Sequence, residues 1–224
     1  MRLRGEVLLL ALGVASPLSA QRAQWELTVG GVAVHAERAV AFEGRRHTAS
    51  GSGSGVELAL GRSPISVWAR AISSDLTASS DTATMAAATL GDIDARGRLS
   101  VGAVVLEGGL IRRVVTGQFA SRVWQGLRVG GQLHFQSTDE AISFMCAAGY
   151  SPTLRSSGAG TTGTALDFES RLRFAPTRLP VWLAIGYRVE RRELPGLTGS
   201  QLERLSGVLA AGGFALHRGR RPPT

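Results

Sequence analysis

Along most of the chain, apolar and polar residues alternate one by one. The clearest stretch runs from Gly163 to Arg192. In its first arm Leu166, Phe168, Leu172 and Phe174 share one parity, while Asp167, Glu169, Arg171 and Arg173 share the other. In its second arm Val181, Leu183, Ile185, Tyr187 and Val189 alternate with Trp182, Ala184, Gly186, Arg188 and Glu190. A period of two means an extended strand with two unlike faces, and the Pro-containing link 175–180 makes the pair a hairpin. The same reading sets Ile65, Val67, Ala69 and Ala71 against Ser66, Trp68 and Arg70, and Val123, Leu127, Val129, Leu133 and Phe135 against Trp124, Arg128, Gln132 and His134. Strands are predicted over 25–36, 52–60, 65–77, 87–101, 104–116, 122–135, 141–151, 163–175, 180–192 and 204–217.

The links fall into two kinds. Those at Gly61–Pro64, Gly102-Ala103, Gln136–Glu140 and Pro176–Leu179 are short; those at 37–51, 78–86, 117–121, 152–162 and 193–203 are longer and mostly rich in Ser, Thr and Gly. Two segments have helical features. Ser200-Gln201-Leu202-Glu203 fits a capping box, with Leu202, Leu205 and Leu209 at helical spacing. A strand is preferred there because Val208, Ala210, Gly212, Phe214 and Leu216 alternate and a barrel must close. Residues 78–90 could begin as a helical turn capped by Asp81. The strand count is ten, with eight the alternative if 82–95 or the last segment is not a strand.

Charges of both signs opposite a clean apolar face suit a membrane barrel, with lipid outside and a polar lumen inside. No apolar run beyond the extreme N-terminus approaches the length of a membrane helix, so a spanning structure would have to be a closed barrel. Alternating short and long links suit tight periplasmic turns and longer outer loops, and an even strand count puts both chain termini on the periplasmic side. Residues 1–20 read as a secretory signal peptide: Arg2 and Arg4 precede an apolar core at Val7–Val14, and small residues end at Ala20. The expected organisation is a signal peptide at 1–20, a barrel at 21–218 and a basic tail at 219–224.

With its signal peptide, strands of about ten residues, alternating link lengths and last strand ending Gly213-Phe214-Ala215-Leu216, the chain resembles the small, porin-like outer-membrane β-barrel proteins of Gram-negative-type bacteria. The resemblance covers nearly all of the mature chain. It implies an all-β, closed antiparallel up-and-down barrel in the outer membrane. It also implies the lipid bilayer as partner and insertion by the barrel-assembly machinery, which reads the last strand. The family's last strand typically ends on an aromatic; this chain departs from that, with Phe214 two residues before Leu216 and a basic tail from His217 to Thr224 following.

The candidate chemistry lies on the polar face. The expected lumen charge network comprises Asp92, Asp94, Arg96, Arg98, Glu107, Arg113, Arg128, Asp167, Glu169, Arg171, Arg173, Arg188 and Glu190. A two-residue hairpin at Gly102-Ala103 would set Val101 opposite Val104, Arg98 opposite Glu107 and Asp92 opposite Arg113. In the next hairpin, Asp167 is expected opposite Arg188. On the strands 87–101 and 163–175, acids sit towards the outer end and bases towards the periplasmic end. The functional reading is an ion path or an acid–base pair, since carboxylates two residues apart on a strand lie about 7 Å apart. The structural reading, which is preferred, is a packed ionic network filling a narrow barrel.

Composition changes this picture little. The 25 basic residues are all Arg, and the formal net charge is +8. They are spread along the strands with no RNA-binding motif, so nucleic acid is not expected as a partner. The histidines His35, His47, His134 and His217 lack metal-ligand spacing; neither a metal nor any other cofactor is expected. The lone Cys146 shares parity with Ile142, Phe144 and Ala148 and reads as a small apolar residue. The Gly-Ser run 50–55 leads into a strand rather than a helix, so it reads as a mobile loop and not a phosphate loop.

The leading expectation is therefore an outer-membrane barrel, structural or weakly pore-forming, with a salt-bridged lumen and outer loops open to a small solute or surface ligand. The alternative is a soluble periplasmic barrel or sandwich holding a small apolar ligand; an outward apolar face means membrane, an inward one means ligand. A weaker alternative, a barrel enzyme acting on lipid or peptide, would draw on His134 or Asp92. No catalytic residue is assigned.

Overall fold

The computed structural model describes residues 25–42, 45–78, 87–117, 121–156, 162–176, 179–196 and 199–218. The expected signal peptide, the tail at 219–224 and the turn capped by Asp81 lie outside them. Every alternating segment is a strand: β1 Trp25–Phe42, β2 Arg45–Arg62, β3 Ile65–Ala78, β4 Ala88–Val101, β5 Val104–Gly117, β6 Ser121–Gln136, β7 Ile142–Ser156, β8 Thr162–Phe174, β9 Val181–Gly196 and β10 Gly199–Arg218. Each strand pairs antiparallel with its sequence neighbours, and β1 pairs with β10 from Trp25 opposite Arg218 to Ala41 opposite Leu202. The result is a closed ten-stranded barrel with no free edge. The segment with a capping box is strand throughout, continuous with β10.

The short turns lie where the sequence placed them. Gly102 has φ +63° and is followed by Ala103, the pattern of a two-residue type II′ hairpin with glycine at its first central position. Val101 faces Val104, Arg98 faces Glu107 and Asp92 faces Arg113. The β6–β7 turn is held by side chains: the Ser137 hydroxyl donates to Asp139 Oδ1 at 2.5 Å, and the Ile142 amide donates to Ser137 Oγ at 3.0 Å.

Three of the expected long links, 37–51, 152–162 and 193–203, are much shorter, whereas the link expected at 78–86 keeps its length between Ala78 and Ala88. Only residues 43–44 separate β1 from β2, and only 197–198 separate β9 from β10. The Gly-Ser run 50–55 is not a loop but part of β2, paired with β1 on one side and β3 on the other. Its glycines permit this, because a Cβ at Gly51, Gly53 or Gly55 would collide with the carbonyls of Asp75, Ser73 and Ala71. β7 likewise continues past Pro152 through a bulge between Ser151 and Leu154.

The two faces separate cleanly. Leu58, Leu60, Val67, Leu99, Leu106, Leu127, Phe135, Phe168, Leu183, Ile185 and Phe214 are among the large apolar side chains left exposed on the outer wall. Towards the long-link end, the outward positions turn polar at Ser52, Ser73, Thr89, Arg112, Gln125, Arg191 and Arg204. On β9 the apolar run spans Val181–Val189, about 26 Å along the strand and about 20 Å along a barrel axis tilted by ~40°. The apolar face therefore points outward, opposite to a soluble barrel with an apolar ligand inside.

Candidate functional site in the lumen

Inward-facing side chains form three layers. At the long-link end is an apolar cap built by Ala36, Ala49, Leu76, Ala88, Leu90, Ile111, Val115, Trp124, Leu154 and Ala165. It explains the length of the strands: the wall continues past the apolar belt because it has a core of its own to cover. The β7 bulge makes Leu154 part of the cap. Ser151 and Leu154 are both buried although three residues apart, so the bulge switches the inward parity of the strand.

The middle layer is ionic, and its guanidinium and carboxylate groups reach across the barrel. Arg70 on β3 makes two hydrogen bonds to Glu169 on β8, at 3.1 and 3.0 Å. Arg128 on β6 makes two bonds of 2.8 Å to Asp167 on β8 and a third of 2.9 Å to Glu107 on β5. Arg171 on β8 binds Glu57 on β2 at 2.9 and 2.6 Å. Arg113 on β5 bridges Asp92 at 3.0 Å and Glu190 on β9 at 2.9 Å, while Arg188 on β9 reaches Asp92 at 3.0 Å and Asp94 at 3.8 Å. Arg96 donates to Asp94 and Glu107, Arg98 to Glu107, and Arg192 to Glu190. Above these, Arg38 meets Glu203 at 2.7 Å. Planar guanidinium forks suit this layer because each can satisfy two carboxylate oxygens at once.

Of the thirteen residues singled out from the sequence, twelve engage in these ion pairs; Arg173 is the exception among the described residues. One register differs from expectation. Asp167 stands opposite Glu190, and Glu169 opposite Arg188. The link 175–180 is longer than a tight turn and staggers the arms by two residues, a slip that keeps every side chain on its own face. Sequence reasoning missed Arg38, Glu57, Arg70, Arg192 and Glu203. Arg70 already had the inward parity; the others lay in or beside presumed loops, or on strands whose polar face was not followed to its end. Gly149 is also part of the layer, since a Cβ there would collide with the Arg128 guanidinium.

The described interior includes two cavities. One of about 40 Å³ separates the cap from the ionic layer, between Leu90, Leu205 and Leu209 on one side and Asp92, Arg113 and Arg188 on the other. The larger, about 170 Å³, is a vestibule at the short-turn end whose lining includes Arg98, His134, Arg171, Arg173 and both Trp68 and Trp182. Trp68 packs against the guanidinium groups of Arg70, Arg96 and Arg98 at 4.9, 4.8 and 4.8 Å from its ring centroid, and Trp182 against Arg171 and Arg173 at 5.4 and 5.2 Å. The structure does not bring His134 and Asp92 together: His134 lines the vestibule and Asp92 the small inner cavity. His35 faces outward beside Ser52, at 3.4 Å.

No family model matches the chain, and no curated protein matches it. Among solved structures, it is similar to OmpT, an outer membrane protein of Vibrio cholerae, at 8% identity and TM-score 0.34 over 80% of this chain. The chain spans 64% of the length of that protein. It is also similar to the β domain of the Bordetella autotransporter BrkA, at 13% identity and TM-score 0.38, covering 87% of this chain and 100% of that one. A third is Pseudomonas aeruginosa OccK2 (OpdF), at 9% identity and TM-score 0.25, covering 86% and 98%.

Proposed function

We propose that this chain is an outer-membrane β-barrel whose lumen is occupied by its own side chains, a structural component of the envelope rather than an open pore. The carrying observation is the pairing of two unlike surfaces on one closed wall: an outward apolar belt, and inward ion pairs that cross the barrel from β2, β3 and β6 to β8 and from β4 and β5 to β9. An exposed apolar surface of this extent is stable where lipid replaces water. A conducting lumen needs a continuous aqueous path, and both the ionic layer and the apolar cap stand across it. In the arrangement general to such barrels, the short turns face the periplasm and the capped end faces outward.

The mature chain, expressed in a Gram-negative host, is expected in the outer-membrane fraction, with a gel mobility that shifts on boiling. In planar bilayers the folded protein is expected to show no unitary conductance steps. Recovery as a soluble periplasmic protein would overturn the membrane reading, and regular ohmic steps would overturn the occupied lumen.

A further inference from the structure

We propose that the vestibule at the short-turn end binds a small oxyanion, a solute bearing carboxylate or phosphate groups. The vestibule is a polar recess of about 170 Å³, room for on the order of ten waters by that measure. It exists whether or not the lumen conducts.

Its charges are unequally matched. Of the arginines in its lining, Arg98 pairs among the described residues with Glu107 alone, and Arg96 pairs with the same carboxylate and with Asp94. Arg171 is paired with Glu57. Among the described residues Arg173 makes no ion pair and its Nε no hydrogen bond, and Glu26 and Glu57 attract it electrostatically. Arg173 Nε and the indole N–H of Trp182, a residue 2% exposed, are buried donors with no acceptor among the described residues. Donors left in this way are costly unless something supplies an acceptor. The wall therefore presents excess positive charge and unanswered N–H groups, while Glu57 and Glu169, the acids in its lining, are already engaged by Arg171 and Arg70.

Geometry narrows the ligand. The two indole rings hold guanidinium groups over their faces; those of Arg98 and Arg171 already donate to Glu107 and Glu57, which leaves Arg173 Nε as the unanswered guanidinium donor. A planar fork of N–H donors matches the paired oxygens of a carboxylate or phosphate rather than a spherical halide. His134 adds a further nitrogen at the rim.

The folded barrel in detergent can be titrated with citrate and with inorganic phosphate, against sodium chloride at matched ionic strength. Binding is read by intrinsic tryptophan fluorescence and by calorimetry. Saturable binding of an oxyanion, absent with chloride, is expected. Ser143 lines the recess and stands opposite Arg173 in the β7–β8 register. Ser143→Asp would place a tethered carboxylate in the site, weakening binding about tenfold or more while the barrel stays folded and heat-modifiable. Arg173→Gln should produce a similar loss by removing the donor. No saturable binding by the wild type, or unchanged binding in both folded variants, would overturn the assignment.

Discussion

Glu169 and Arg70 show what a single residue contributes here. Their side chains are 4% and 2% exposed and share two hydrogen bonds. Removing one partner of a buried pair strands the other charge away from water, a loss of about 3–5 kcal/mol. Glu169→Ala should therefore lower unfolding stability by that order in a urea titration of the detergent-folded barrel, and the conservative pair-restoring Glu169→Asp should recover part of it. Asp139 gives a second case, in the turn between β6 and β7. Hydrogen bonds from the Ser137 hydroxyl and the Ala141 amide favour its charged form and hold its carboxyl below the usual aspartate value. A lowered folded-state pKa contributes stability that is fully present above the unfolded pKa of about 3.9 and is lost as the pH falls through the folded value. A carboxyl-carbon NMR titration should place the Asp139 midpoint below that of an unstructured aspartate, and Ser137→Ala should raise it. At this scale, legibility depended on what determines register. Gly102-Ala103 permits one hairpin geometry, so Arg98–Glu107 and Asp92–Arg113 could be read in advance. The link 175–180 permits several, so the face of Asp167 was readable and its partner, Arg128, was not.

At the scale of the element, alternation located all ten strands but not where they end. It stops being informative where inward positions become glycine, as at Gly51, Gly53 and Gly55, or where a bulge shifts the parity, as between Ser151 and Leu154. Those places hide part of the apolar cap: Ala49 and Leu154 sit in stretches that resemble loops, and the other members lie on predicted strands. The belt on each strand has a depth profile that can be tested. Ile185 lies mid-way along the apolar run of β9, and Thr116 lies near the long-link end of β5 with its side chain outward. Arginine facing lipid costs about 2–4 kcal/mol at the midplane and about 0–1 near an interface. Ile185→Arg should therefore destabilise the barrel in lipid vesicles by the larger amount and Thr116→Arg by the smaller. Equal effects at the two depths would contradict the placement of the belt.

The whole molecule joins its wall and its interior through two strands. Pairs from β2, β3 and β6 converge on β8, and pairs from β4 and β5 converge on β9. The longest of these contacts join residues 77 to 114 positions apart in the chain. None of those can form until the hairpin of β8 and β9 has arrived. An open sheet of the first seven strands would carry Glu57, Arg70, Asp92 and Arg113 without their distant partners, and lipid would penalise that face severely. If the barrel sits in a membrane as proposed, the first seven strands must keep this face in water, and the sheet cannot settle into the bilayer strand by strand. Curling the sheet into a tube and neutralising its interior become one event, which waits on the C-terminal third of the chain.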